Sequence, residues 1–112
     1  MAKKESVTEL SESKFTEFIE DDKAKLVIVD FFAEWCFPCT MMAPVLDNVA
    51  EKLSSKGVKV GKINVDDAQK VSMKYEISSI PCIVFFKNGK EAGRSVGALT
   101  EEQLEDKLNG LL

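Results

Sequence analysis

The sequence predicts an α/β fold in the form of an α/β/α sandwich, a central mixed β-sheet with helices on both faces. Three observations carry that prediction. Strand-like and helix-like segments alternate along the chain in the order β-α-β-α-β-α-β-β-α, the pattern of helices layered on a sheet. The run Lys25–Ala33, "KLVIVDFFA", is apolar throughout apart from its lysine and one aspartate, as a strand covered on both faces requires. Lys87-Asn88-Gly89-Lys90 joins the last two strands, and Asn-Gly readily adopts the positive φ angles of a tight hairpin. An antiparallel pair is thereby added to strands that helical crossovers leave parallel, which makes the sheet mixed.

The elements follow in order. Val7 to Leu10 suits a short edge strand. In Ser11–Asp22, Phe15, Phe18 and Ile19 stand at i, i+3 and i+4 and mark one face of a helix. The buried strand Lys25–Ala33 comes next. From Cys36 to about Ser55, Met42, Val45, Leu46, Val49, Ala50 and Leu53 keep helical spacing. Pro44 lies inside that helix and is expected to kink it, since it lacks an N–H and its ring crowds the preceding turn. Val58–Asp66 is a second strand. Residues 66–76 form a short helix with Val71 and Tyr75 on one side, and residues 78–98 supply the hairpin. The last helix opens on Thr100-Glu101-Glu102-Gln103, a capping box, with Leu99 and Leu104 placed as a hydrophobic staple.

A chain of 112 residues with 45% apolar and 30% charged residues is expected to form a single domain over 1–112. Its net charge is −4 with the basic residues dispersed, which argues against nucleic acid as a partner. No apolar run nears the roughly 20 residues of a membrane helix, and the start, "MAKKESVTEL", has no apolar leader core. A cytoplasmic location is the expectation. Histidine is absent, which removes Cys–His and Ser–His nucleophile pairs and the commonest metal ligand.

The chemistry concentrates in "AEWCFPCTM", where two of three cysteines stand three positions apart beside the only tryptophan. With Cys36 at the start of the long helix, Cys39 lies on the same face one turn on. Pro38 then falls in the first turn, where a missing N–H costs nothing. Unpaired N–H groups and the positive dipole end favour a Cys36 thiolate. Cys39, deeper along the helix, is expected to be the more shielded thiol. An exposed attacking thiol with a shielded resolving thiol suits dithiol–disulfide exchange. Two cysteines at this spacing also serve as half of a zinc or iron–sulfur site, but Cys82 is the only further cysteine. No metal is therefore expected. Two inert core cysteines are the remaining alternative.

The segments "VDFFAEWCFPC", "MMAPVLDNVA", "ISSIPCIVFF" and "KNGKEAGRSVGALT" together resemble the thioredoxin family in order and spacing, from about Phe15 to the C-terminus. The resemblance implies a reversible Cys36–Cys39 disulfide, with Cys36 as nucleophile and Cys39 resolving. It places Asp30 beneath that disulfide, assisting proton transfer, with Lys62 as its modulator. The bland alternatives are a strand-end or edge aspartate facing water for Asp30 and a solvated strand lysine for Lys62; buried without a close positive charge, Asp30 would have a raised pKa and suit acid–base work near neutrality. The Ile80–Pro81 bond is implied to be cis, and Trp35, Phe37, Pro38, Ile80, Pro81, Val96 and Gly97 are implied to form the substrate-docking surface. Three residues depart from the usual family pattern: Phe37 stands in place of glycine, Phe32 in place of tryptophan, and Cys82 in place of threonine.

The expected function is that of a general protein thiol–disulfide oxidoreductase, a disulfide reductase engaged in electron transport and cell redox homeostasis. Its partners would be disulfide-containing proteins and a reductase that restores the dithiol, with no bound cofactor and a monomeric state. Two alternatives stand beside it. Phe37 motivates a disulfide oxidase or isomerase, and a non-catalytic interaction module would leave the thiols incidental.

Overall fold

The computed structural model describes residues 7–112. Its strands are β1 (Val7–Leu10), β2 (Leu26–Phe32), β3 (Val58–Asn64), β4 (Cys82–Lys87) and β5 (Lys90–Val96). The helices are α1 (Phe15–Ile19), α2 (Phe37–Leu53), α3 (Gln69–Lys74) and α4 (Glu101–Asn109). The strands form one sheet in the order β1-β3-β2-β4-β5. β3 is parallel to both β1 and β2, whereas β4 is antiparallel to β2 and β5. The sheet is therefore mixed, as predicted, with β2 in its middle.

Residues 26–30 of β2 are all buried, and because side chains alternate along a strand they feed two cores. Leu26 and Ile28 join Met42, Leu46, Val49 and Leu53 of α2 and Leu104 and Leu108 of α4. Val27, Val29 and Phe31 join Phe15, Phe18 and Ile19 of α1 on the other face. Alternation puts Asp30 on the α2 side, with Leu26 and Ile28. Gly61 of β3 permits a close approach on the α1 side: a Cβ there would lie 2.8 Å from the Phe18 ring.

The first helix is much shorter than Ser11–Asp22. A 3-10 turn at Glu12–Lys14 leads into α1, which still buries Phe15, Phe18 and Ile19. Its end has a local cause: the Asp21 carboxylate accepts the Lys23 N–H at 2.9 Å, a side-chain turn that competes with helix continuation. α2 runs on through Pro44 from Phe37 to Leu53, although Pro44 offers no N–H to the Thr40 carbonyl. Both residues are exposed, so water can reach that carbonyl. α3 closes in a Schellman turn, with Ile77 N–H on the Ser72 carbonyl and Glu76 N–H on that of Met73. The residue in the left-handed position is Glu76, at φ 54°. The hairpin turns through Asn88 (φ 54°) and Gly89 (φ 78°). The Thr100–Gln103 capping box forms with both of its bonds, and Leu99 packs on the core that holds Leu104.

Candidate active site

The site is built where β2 ends and α2 begins. After Phe32 the chain turns, closed by Cys36 N–H to the Ala33 carbonyl at 3.2 Å. Cys36 is the N-cap of α2, with extended backbone, and Phe37 is the first helical residue. Pro38, next along, needs no N–H partner in the first turn. The Cys36 sulfur accepts the Cys39 N–H at 3.3 Å, satisfying one orphan donor of the helix start. Cys36 and Cys39 are joined in a disulfide across a Cα–Cα distance of 5.3 Å. The helix terminus that caps itself on Cys36 is the one whose partial positive charge stabilises a thiolate there once the bond is reduced.

The expected difference in shielding between the two cysteines is absent from the disulfide: Cys36 and Cys39 are each 5% exposed. The cause is packing from outside the helix. Phe32, Val65 and Ile80 close on the cluster of Ala33, Cys36 and Cys39, so the cap residue is covered as well as the helical one. What distinguishes the two sulfurs is position, Cys36 at the helix cap and Cys39 inside the first turn over β2.

Asp30 is 2% exposed, not at a strand end in water. Its Oδ1 has no hydrogen-bond partner among the described residues. Burial drives its carboxyl pKa up from the ordinary 3.8 to about 7, against a smaller downward pull from the Lys62 charge. Lys62 stands opposite Asp30 in the parallel β2–β3 register, half-buried, with its ammonium 5.6 Å from the centre of the Phe32 ring. A recess of about 260 Å³ lies between the strands and α2, and Asp30, Cys39, Thr40, Ala43 and Lys62 share its lining. Asp30 and Cys39 thus line one recess.

Several of the residues expected to meet substrate are exposed. Trp35 is 72% exposed, Phe37 74% and Val96 59%, and Pro38 is exposed beside them. The Ile80–Pro81 peptide is cis. Ile80 packs on the cysteine cluster, and the Pro81 carbonyl accepts the Gly97 N–H at 2.8 Å, tying the end of β5 to the start of β4. Cys82 belongs to the core on the α1 side of the sheet, across from the face that Asp30 occupies. Its thiol is pushed up chiefly by burial.

Several contributors were not legible in the sequence. Val65 covers the cysteines, and Asp66 accepts the Trp35 indole N–H at 2.9 Å. The Met42 sulfur accepts the Leu99 N–H at 3.2 Å, holding the segment after Gly97 to α2. Alternation in "KINVD" hints that Val65 shares a face with Ile63; nothing local marks Asp66. Among the described residues, no three or more Cys, Asp or Glu side chains gather as metal ligands, and no helix is long and apolar enough to cross a membrane.

Comparison with known proteins agrees with this geometry. The family model described as thioredoxin matches residues 6–110. Thioredoxin from Chlamydia pneumoniae is 45% identical over 100 residues, covering 89% of this chain and 93% of the relative. Thioredoxin from Buchnera aphidicola subsp. Baizongia pistaciae is 43% identical over 103 residues (92% and 93%). Thioredoxin from Alicyclobacillus acidocaldarius is 42% identical over 103 residues (92% and 95%).

Proposed function

The chain belongs to the thioredoxin family and is a general protein disulfide reductase, and from that premise we propose how its residues divide the work. The Cys36 thiolate attacks one sulfur of a substrate disulfide, forming a mixed disulfide and releasing the other substrate sulfur as a thiolate. Cys39 loses its proton to the Asp30 carboxylate and attacks the Cys36 sulfur. The Cys36–Cys39 bond forms, the substrate leaves with both thiols reduced, and two electrons have passed to it. The observation that carries this assignment is the recess shared by Asp30 and Cys39 beneath a disulfide capping α2. A carboxyl with a pKa of about 7 is matched to taking up and returning a proton near neutrality.

Trp35, Phe37, Pro38 and Val96 are the exposed part of the docking surface, with Ile80 and Gly97 half-buried and Pro81 buried behind them. Large exposed rings beside a recessed disulfide give an extended substrate segment apolar area to cover. Lys62 modulates Asp30 as a charge on the neighbouring strand. Electrons come from a separate reductase of the thioredoxin-reductase type, no cofactor is bound, and the protein works as a cytoplasmic monomer in electron transport and redox homeostasis.

The test is reduction of a disulfide protein driven by dithiothreitol. Wild type is expected to accelerate it and Cys36→Ser is not; equal rates for the two would end this assignment. Cys39→Ser is expected to accumulate the mixed disulfide through Cys36, seen as a covalent adduct by mass.

A further inference from the structure

The Trp35 side chain presents a contradiction. The residue is 72% exposed, as one with a side chain free to change rotamer would be, yet the one polar atom of that side chain is held. The indole N–H donates to Asp66 Oδ2 at 2.9 Å across 31 residues of sequence. Asp66 is itself on a fixed base. In the turn after β3, its N–H donates to Asn64 Oδ1 at 2.9 Å, and the next N–H, of Asp67, donates to the Asn64 carbonyl at 3.1 Å. The same turn is laced to the end of β2 by Val65 N–H on the Phe32 carbonyl at 2.8 Å, and Val65 packs on the cysteine cluster. A rigid turn therefore holds out a carboxylate to the tryptophan that immediately precedes Cys36.

This bond adds little to folding stability, because water can replace either partner at an exposed site. Its effect falls on orientation. Ordering a large side chain when a partner docks costs free energy, and a tether in the free protein removes that cost beforehand. We propose that Asp66 is a positioning residue for substrate docking, holding the Trp35 ring in the pose in which protein disulfides meet Cys36. The inference rests on the assignment of Cys36 as attacking thiol and of Trp35 to the docking surface. It adds a residue that makes no contact with the reacting sulfurs.

The experiment measures kcat and KM for a protein disulfide, with dithiothreitol as electron source, in four variants. Asp66→Ala is expected to raise KM about fivefold, the equivalent of roughly 1 kcal/mol, with kcat within about twofold. Asp66→Asn keeps an acceptor oxygen and should restore KM. Trp35→Phe keeps a ring without the N–H and should raise KM similarly. Adding Asp66→Ala to Trp35→Phe should then do nothing more, because the shared bond is already gone. Time-resolved fluorescence anisotropy of the single tryptophan should show a faster ring in Asp66→Ala and the wild-type rate in Asp66→Asn. An unchanged KM in Asp66→Ala, a rise that Asn fails to reverse, or independent effects of the two substitutions would each overturn the proposal. Activity retained by Cys36→Ser would instead refute the mechanism beneath it, so the two failures are distinguishable.

Discussion

Asp30 should make this protein less stable as the pH rises, and replacing it should remove that loss. Its carboxyl pKa is lifted from 3.8 to about 7 by burial, while the same group in the unfolded chain titrates near 4. Between those values the folded state keeps a proton that the unfolded state has released. Stability then falls with rising pH, by about 1.4 kcal/mol per unit for a single group. Below pH 4 both states are protonated and there is no penalty; above pH 7 both are ionised and the penalty is complete. Three units give about 4 kcal/mol at pH 8, of the order of a third to a half of a small domain's total stability. The assay is urea unfolding of the disulfide form of wild type and Asp30→Asn from pH 4.5 to 9. The amide substitution carries its own constant offset, so the readout is the pH-dependent part of the difference. The variant should gain on wild type through pH 5–7, by about 4 kcal/mol in all, and then level off. A difference that is flat with pH, or one that grows towards acid, would refute the claim that a buried, unpaired carboxylate sits in this core.

The remaining predictions concern the same neighbourhood and one turn outside it. In stopped-flow kinetics at pH 7, Asp30→Asn should slow resolution of the mixed disulfide roughly 10- to 100-fold and its formation much less; equal slowing of both steps would remove its role as proton acceptor. Lys62→Met takes away the charge that lowers the Asp30 pKa, so the pH profile of the resolving step should move to higher pH, and a profile that stays put or moves down excludes Lys62 as modulator. Phe37 projects a largely exposed ring, so Phe37→Gly should raise KM for protein disulfides severalfold. It should leave the reduction potential within about 15 mV, the two-electron equivalent of the roughly 0.7 kcal/mol a glycine costs in a helix; a shift of 60 mV or more would place Phe37 in redox tuning and reopen the oxidase reading. Glu76 occupies the left-handed position of a Schellman turn at φ 54°, where glycine is the unstrained residue. Glu76→Gly should therefore raise unfolding stability by about 0.5–1 kcal/mol without altering kinetics, and destabilisation would contradict the turn.

The fold and the centre of the site were legible because both are written in local patterns. The apolar run of β2, the helical spacing from Met42 to Leu53, the Asn88-Gly89 turn and the Thr100–Gln103 cap each state their own conformation. Helix-start geometry placed Cys36 and Cys39 one turn apart at the N-terminus of α2, whereas the unequal shielding expected of them is absent from the disulfide. The first helix is shorter than its pattern predicts, since the capture of the Lys23 N–H by Asp21 competes with a periodicity that Phe15, Phe18 and Ile19 satisfy in barely one turn. The sequence by itself determined which residue types are available: a dithiol at a helix start, one acid in an apolar strand, no histidine. Only the tertiary structure decided what surrounds them. Burial of Asp30 depends on β2 lying between β3 and β4 under α2, and equal covering of the two cysteines depends on Val65, in the turn after β3, and Ile80, just before β4. The hold of Asp66 on Trp35 depends on a turn brought 31 residues back to the site. Desolvation and orientation are properties of neighbours in space, which the order of residues along a chain does not state.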